Sequence, residues 1–436
     1  MKKKKKTVYI ALAADTIHHG HITLIEKGKK YGDIVIGLIT DKAIAEHKRI
    51  PYLNYEQRKK ILSNLKGVTK VIPQKEYDYS VNILKLKPDY MIHGDDWKKG
   101  YDKTLRINAI KALKACKGKL IEIPYTKGIS SDALTKSQNL NLVTSDTRRG
   151  MLQRLLRAKN FLRFIEAHSP LSALISENAL VKKNGRHIFF DGFWSSSLTD
   201  STSMGKPDNE YVDNSLRLTG INHIFDVTSK PLIFDGDTGG KKEHFDMKIK
   251  TIERSGVSAI IIEDKTGLKK NSLLQNTKNQ QQENIKSFSE KISIGKKAQL
   301  SNDFMIIARI ESFILGKKIN DAMTRAHAYI KAGADGIMIH SKSKNPNEIF
   351  SFARKFRKIY KNVPLIGVPS TYNQVTEKEL EKNGFNIVIY ANQMLRASYP
   401  AMMNVAMKIL KNGRAKEVEK DLFSIKNILN LIPGTK

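Results

Sequence analysis

Cysteine is nearly missing from this chain: Cys116 is the single thiol among 436 residues. One thiol builds neither a disulfide framework nor a cysteine metal cluster within the chain, and a reducing, cytoplasmic setting is expected. Long hydrophobic runs are absent too. No uninterrupted apolar stretch reaches the ~18 residues of a membrane span, so no membrane partner is expected. The closest imitation is amino-terminal, where Lys2 to Lys6 precede the apolar run Val8–Ala14. That run is at the short limit for a signal-peptide core and stops at Asp15 and a histidine cluster, so it is read as a first strand. Acidic residues are scarce against basic ones, 43 to 76, giving a formal charge of +33. The basic residues are spread along the whole chain, lysine outnumbers arginine, and no zinc-finger spacing or aromatic RNA-binding signature accompanies them. That pattern describes a solvated surface rather than a nucleic-acid interface, and no nucleic-acid partner is expected.

What is present is two blocks of alternating strand and helix patterns on either side of the polar stretch Ser137–Gly150. In the first block the strand-like runs are Val8–Ala14, Ile34–Thr40, Lys70–Pro73, Tyr90–Gly94 and Leu120–Pro124, with lysine-rich amphipathic segments between them. Five strands with intervening helices predict an open, doubly wound, Rossmann-like sheet. The second block has eight runs: Phe164–His168, Ile188–Phe193, Pro231–Asp237, Ala259–Asp264, Phe304–Ile310, Gly336–His340, Pro364–Pro369 and Ile387–Asn392. Eight strands alternating with helices predict a closed (β/α)8 barrel. The expected class is therefore α/β, with a nucleotide-binding domain over 1–136, a linker over 137–152 and the barrel over 153–436.

Parallel sheets expose their chemistry at the carboxyl edge. In the second block those edges carry Trp194, Asp235 with Asp237, Glu263, Arg309 and His340. Asp235 and Asp237 are two apart, so on an extended strand they face the same way. A lone Asp-x-Asp is as often a turn or a helix cap; with Glu263 it becomes an all-oxygen cluster suited to Mg²⁺ rather than zinc. Arg309 offers a planar fork to phosphoryl or carboxylate oxygens, and His340 can donate to an anion or serve as an acid. The Gly, Lys, Asn and Ser-rich stretch from Glu263 to Ser272 is read as a lid that carries charge onto an anionic substrate.

Together these residues resemble the phosphoenolpyruvate mutase family of the isocitrate lyase superfamily, from about Leu155 to the carboxyl terminus. The resemblance lies in Glu166-Ala167-His168, Trp194 to Leu198, Asp200-Ser201, Lys206-Pro207-Asp208, Asp235 to Gly240, Glu263 to Ser272, Arg309 to Ser312 and His340 to Lys342. It implies interconversion of phosphoenolpyruvate and phosphonopyruvate, with Asp235 holding Mg²⁺ directly and Asp237 and Glu263 supporting it. It implies catalytic roles for Asp208, Lys269, Asn271, Arg309 and His340, Asp208 serving either as transient phosphoryl acceptor or as electrostatic guide. Trp194, Ser195, Ser196, Leu198, Ser272 and Leu273 would hold substrate, and Lys269, Asn271, Ser272 and Leu273 would form the gating loop. The sister lyases carry a catalytic cysteine in this loop and this chain does not, which sets carbon–carbon cleavage aside. Phosphonopyruvate hydrolase, which shares the metal site and the aspartate, stays as the alternative. The resemblance further implies a homo-oligomer, dimer or tetramer, and coupling to a phosphonopyruvate decarboxylase that drains the product.

In the first block, Asp15-Thr16-Ile17-His18-His19-Gly20-His21 follows the first strand and opens a helix. Two imidazoles at a helix amino terminus lie where backbone already attracts phosphate. His93 to Trp97 and Thr126 to Ser131 fall at the ends of the fourth and fifth strands. These motifs resemble the glycerol-3-phosphate cytidylyltransferase type of nucleotidyltransferase over roughly Val8 to Lys136. By that resemblance His18 and His21 stabilise the α-phosphate transition state, Lys48 or Arg49 contacts phosphates, and Arg58 supports the site. Asp15, Asp95, Thr126, Ser130 and Ser131 help to hold CTP. Tyr125 stands where the family has arginine, Asp132 where it has threonine, and Ala13-Ala14 replace Thr-Phe. A cytidylyltransferase joined to a phosphonate-forming mutase implies CMP transfer to an alkylphosphonate; a nucleotide-binding module without turnover is the alternative.

Overall fold

The structure, a computed structural model, describes residues 5–98, 102–124, 143–183, 186–267, 269–272 and 280–431. In the first block the apolar runs become β1 (Thr7–Leu12), β2 (Asp33–Ile39), β3 (Val68–Gln74), β4 (Tyr90–Gly94) and β5 (Lys119–Ile123). They pair in parallel in the order β3-β2-β1-β4-β5. β1 and β2 are almost wholly buried because helices cover both faces of the sheet, which is why their sequences show no polar alternation. Strand order reverses between β1 and β4, and the crevice at such a reversal is where an open α/β sheet presents a ligand. Helix His19–Gly28 begins there.

The stretch expected as a linker is helical from Ser145. Helix Ser145–Ala158 starts at Thr144, whose hydroxyl accepts from Thr147 N, and it buries Met151, Leu152, Leu155 and Ala158. The barrel follows, from β6 (Leu162–Glu166), with a hairpin of β7 (Leu180–Lys183) and β8 (Arg186–Phe189), then β9 (Gly192–Ser195), β10 (Leu232–Asp235) and β11 (Ala259–Glu263). A two-residue ladder of β12 (Lys265–Thr266) and β13 (Gln281–Gln282) precedes β14 (Met305–Ile310), β15 (Gly336–Ile339), β16 (Leu365–Gly367) and β17 (Ile387–Tyr390). Eight of these close a parallel barrel in the order β10-β11-β14-β15-β16-β17-β6-β9.

One expected strand is corrected. The run Ile188–Phe193 divides between the hairpin, which ends at Phe189, and the barrel strand, which starts at Gly192. A Cβ at Gly192 would lie 2.2 Å from the Phe164 ring and 2.6 Å from the Pro231 carbonyl, so only glycine lets β9 start between β6 and β10. In the barrel, Phe234, Ile260, Ile306 and Ile337 face the helices. Ile233, Ile261, Ile307 and Met338 fill the interior, together with Met151, Leu152 and Leu155 of the preceding helix.

The chain divides into two compact units, Met1–Ala391 and Asn392–Lys436. The second contains helix Gln393–Asn412, ended by Gly413 at φ 62°, and helix Ile425–Leu431. Its Met402, Met407, Leu410, Phe423 and Ile425 are exposed. Among the described residues no helix is long and apolar enough to cross a membrane.

Candidate active site

Strand alternation decides which side chains reach the barrel's carboxyl rim. Ile233, Ile261, Ile307 and Met338 point inward; two residues further, the same parity presents Asp235, Glu263, Arg309 and His340. Glu263 is paired in register with Arg309, whose Nη2 lies 3.3 Å from Glu263 Oε2. Asp237 arrives differently from expectation. It has left the strand and takes φ 53°. A turn rather than an extended backbone therefore sets it beside Asp235, whose Oδ1 accepts from Asp237 N at 3.3 Å.

Lys269 enters this cluster from the loop after β12. Its ammonium donates to Asp208 Oδ1 at 2.7 Å, and also to Asp237 Oδ1 and Ser197 Oγ. Asn271 Nδ2 donates to the other Asp208 oxygen at 2.9 Å. Ser197 donates from its backbone N (3.2 Å) and hydroxyl (3.0 Å) to Asp235 Oδ2. Burial opposes the charge on Lys269, but Asp237, Asp235 and Asp208 outweigh it and raise its pKa.

The second half of the rim surrounds Arg309. Its Nε donates to Glu311 Oε1 at 2.6 Å, and Nη2 reaches Ser272 Oγ at 2.8 Å and His340 Nδ1 at 2.9 Å. Glu311 Oε1 also lies 3.3 Å from Nδ1, but the Arg309 contact is the shorter and a guanidinium only donates, so Nδ1 accepts and the His340 proton is assigned to Nε2. Burial, aided by Arg309, lowers the His340 pKa and keeps the ring neutral. Burial would raise Glu311, yet Arg309, aided by Lys265, holds it well below the usual carboxylate range. Glu263 is pushed up by burial to about 7 despite Arg309 and Lys265.

At the amino-terminal sheet edge, His18 Nδ1 accepts from Gly20 N at 3.1 Å and His21 Nδ1 accepts from His18 N at 3.3 Å. Both rings are thereby fixed as Nε2–H tautomers, their centroids 4.0 Å apart. Burial and His18 push His21 down to about 4, and burial with His19 lowers His18, so both are neutral donors. Asp15 pairs with Arg49 at 2.9 Å. Arg58 is fully buried and bonds Asp41 at 2.5 Å and the carbonyls of Ala13 and Ile39. Lys48 is half-buried on the same segment as Arg49, and Asp95 starts the turn after β4 with Lys98 at 3.9 Å.

The sequence pattern of phosphoenolpyruvate phosphomutase matches residues 152–410, and a cytidylyltransferase-like pattern matches 13–137. A phosphoenolpyruvate phosphomutase of Tetrahymena pyriformis is 33% identical over 297 residues, 68% of this chain and 95% of that protein. The chain belongs to the phosphoenolpyruvate phosphomutase family. A crystal structure of phosphonopyruvate hydrolase in complex with oxalate and Mg²⁺ is 34% identical with a TM-score of 0.58, covering 65% of this chain and 94% of that one. The amino-terminal part belongs with the cytidylyltransferases. There the glycerol-3-phosphate cytidylyltransferase of Bacillus spizizenii is 34% identical over 125 residues, 28% of this chain and 88% of that protein.

Within this family member the remaining predicted residues sit as follows. Trp194 is buried among the inward-facing residues below the rim. Ser195 donates to Asp200 at 2.7 Å, Ser196 stands at the N-cap position of helix Ser197–Ser203 without a side-chain capping bond, and Leu198 is half-buried on that helix. Thr126, Ser130, Ser131 and Leu273, with Tyr125 and Asp132, lie outside the described residues. Four side chains that sequence reasoning did not single out complete the site: Ser197, Arg217, Lys265 and Glu311. Arg217, buried, bonds Asp200 at 2.9 Å, the Asp235 carbonyl at 2.6 Å and the Ser195 carbonyl at 3.1 Å. Its signal was available, because it shares a helix face with Ile221 and Ile224.

Asp235, Asp237 and Glu263 offer only oxygen, the donor set that suits Mg²⁺. Glu263 Oε1 is buried, accepts no hydrogen bond and lies 3.2 Å from Lys265 Nζ. Among the described residues no three carboxylate, imidazole or thiol groups stand as a ready metal cage; Asp208 and Asp237 close on the Lys269 ammonium instead.

Proposed function

We propose that this chain is a bifunctional enzyme of phosphonate synthesis. The barrel would interconvert phosphoenolpyruvate and phosphonopyruvate with Mg²⁺, and the amino-terminal domain would transfer CMP from CTP to an alkylphosphonate. One observation carries the first half: Asp208, Lys269 and Asn271 converge on the same rim as Arg309 and His340.

The isomerisation breaks the bond from phosphorus to the enol oxygen and forms one from phosphorus to C3, with no atom gained or lost. A loose phosphoryl-transfer transition state needs positioning and charge neutralisation more than covalent help, and it needs water kept away. Arg309, held rigid by Glu311 and Glu263, and Asn271 supply donors to the moving oxygens. His340 adds a neutral N–H. Asp208 faces the phosphoryl group as acceptor or guide, its orientation held by Lys269 and Asn271. Ser195, Ser196, Leu198 and Ser272 line the substrate. Asp235, supported by Asp237 and Glu263, would hold Mg²⁺, which when bound neutralises charge on the substrate oxygens; the related hydrolase crystallised with oxalate and Mg²⁺ supports this. The lone thiol, Cys116, is in the amino-terminal domain, far along the sequence from the loop that carries a catalytic cysteine in carbon–carbon lyases.

In the second half, a phosphonate oxygen attacks the α-phosphorus of CTP and pyrophosphate leaves. His18 and His21, fixed as donors at a helix amino terminus, meet the charge that develops. Asp15, Lys48, Arg58 and Asp95 complete the nucleotide site, with Thr126, Ser130 and Ser131. The exposed apolar side chains of Asn392–Lys436 favour a homo-oligomer, dimer or tetramer. A phosphonopyruvate decarboxylase consuming the product would draw the barrel reaction toward synthesis.

³¹P NMR of phosphonopyruvate with Mg²⁺ tests the barrel: phosphoenolpyruvate supports the mutase, and inorganic phosphate makes the chain a hydrolase. CTP with hydroxyethyl- or aminoethylphosphonate should release pyrophosphate. No release across a phosphonate panel would leave the first domain as a nucleotide-binding module.

A further inference from the structure

Asp41, the first residue of helix Asp41–Ala45, has two arginine partners from different parts of the chain. Arg58 reaches Asp41 Oδ1 from within the first sheet's domain, and its Nε also donates to the Leu53 carbonyl at 3.1 Å. Arg154 reaches Asp41 Oδ2 at 3.4 Å from helix Ser145–Ala158, and donates to the main-chain carbonyls of Pro51 at 2.8 Å and Tyr52 at 2.9 Å. That helix lies across the amino-terminal ends of the barrel strands. Arg148 donates to the Lys230 carbonyl at 2.7 Å, the Ser258 hydroxyl donates to the Arg148 carbonyl at 2.7 Å, and Gln153 reaches the Asn302 carbonyl at 2.6 Å.

Three consecutive carbonyls, Pro51, Tyr52 and Leu53, are thus bound by two guanidinium groups, one from each side. The segment they terminate carries Lys48 and Arg49. Arg49 pairs with Asp15 and lies 3.8 Å from the Tyr52 ring, and Leu53 N donates to Asp15 at 3.2 Å. Ile50 and Ala45 pack in the same core as Met151, Leu152 and Leu155, and the Tyr52 hydroxyl bonds Ser229 of the barrel. Without Arg154 two main-chain acceptors lose their donors, and the segment keeps only apolar packing against that helix.

We infer that Arg154, a residue within the stretch matched to the mutase family, is a positioning residue for the amino-terminal site. It fixes the Lys48–Arg49 segment against His18 and His21, so the nucleotide's phosphate contacts are completed only when the barrel is joined to the sheet. This rests on the nucleotidyl-transfer reading above.

The full-length Arg154→Met variant keeps the apolar stem and removes the fork. Its phosphonopyruvate turnover should match wild type, which reports an intact barrel. Its KM for CTP should rise about tenfold, with a smaller change in kcat, and Arg154→Lys should recover part of the loss. Independently of any substrate, hydrogen exchange of the amides over 47–53 should quicken about tenfold in Arg154→Met, while those of helix His19–Gly28 stay as they were. Unchanged exchange over 47–53 overturns the inference even if the wild type proves inactive with CTP. Quickened exchange with an unchanged KM overturns the functional part. Wild-type inactivity with quickened exchange sinks the nucleotidyl-transfer reading and upholds the positioning contact.

Discussion

Lys269→Met tests the barrel's buried charge lattice. Methionine keeps most of the apolar stem and removes the positive charge between Asp208 and Asp237, whose side chains are each 9% exposed. Arg217 then remains 3.5 Å from Asp237, already engaged with Asp200 at 2.9 Å. Breaking a buried pair by removing one partner costs about 3–5 kcal/mol. Proton uptake by a stranded carboxylate caps that cost, so the low end, about 3 kcal/mol, is expected. In a domain of this size that lowers the unfolding midpoint by about 8 °C. The dependence on pH has a definite sign. A carboxylate deprived of its cation has its folded pKa raised above its unfolded value, so its contribution is intact at low pH and lost as pH rises. Differential scanning fluorimetry at about pH 5 and about pH 8, first in EDTA and then in Mg²⁺, should show the larger deficit at the higher pH. Mg²⁺ should shrink it, because a divalent cation among the same carboxylates restores the charge. An unchanged midpoint in EDTA refutes the buried counter-ion account, and a deficit indifferent to Mg²⁺ refutes the shared use of those carboxylates.

Asp208→Ala should abolish phosphonopyruvate turnover, followed by ³¹P NMR, while circular dichroism and CTP chemistry stay unchanged; retained turnover removes its assigned role. Asn271→Ala should slow isomerisation by about 10–100-fold and raise the share of pyruvate and phosphate, and an unaltered rate and product ratio count against it. His18→Ala should remove nucleotidyl transfer alone, measured as pyrophosphate release. Because burial pushes His21 down to about 4 and lowers His18 below its ordinary value, any loss of transfer on acidification should set in below the ordinary histidine range. An acid limb centred near the ordinary histidine value would contradict neutral donors.

Much of the rim was legible because a period of two survives in the sequence. Ile233, Ile261, Ile307 and Met338 each stand two residues before a polar side chain, and alternation carries both members of each pair to the same face. What stayed hidden depends on contacts distant in sequence. Arg217 reads as an ordinary helical arginine until its four bonds across the rim are seen. Lys265 bonds Ser272 at 2.8 Å and the Lys270 carbonyl at 3.0 Å, which only the loop's path brings together. The merged strand Ile188–Phe193 failed for a local reason: an apolar run does not reveal that a hairpin ends inside it, and the cue was Gly192. Asp237 stands beside Asp235 through a left-handed turn, a proximity that strand alternation alone does not give.

The rim's composition bears on how it would meet an anion. Six carboxylates, Asp200, Asp208, Asp235, Asp237, Glu263 and Glu311, share it with four cationic side chains, Arg217, Lys265, Lys269 and Arg309. Two like charges about 4 Å apart repel by about 4 kcal/mol at the effective dielectric typical of protein sites, so positive charge is short wherever all six are ionised, and burial relieves part of this by pushing Glu263 up to about 7. A phosphoryl group and a carboxylate deepen that shortage. Moving Lys269 toward substrate would expose Asp208 and Asp237 to each other, so its ammonium cannot serve both without a replacement. A divalent cation at Asp235 and Asp237 would be such a replacement, and under the proposed function it would leave the lysine available to the substrate. The amino-terminal site would meet phosphate by the opposite route, with neutral imidazoles and a helix terminus, and with Asp15 paired to Arg49. Under the proposed function, a metal ion would answer the rim's own excess of carboxylates, independently of what the amino-terminal site binds.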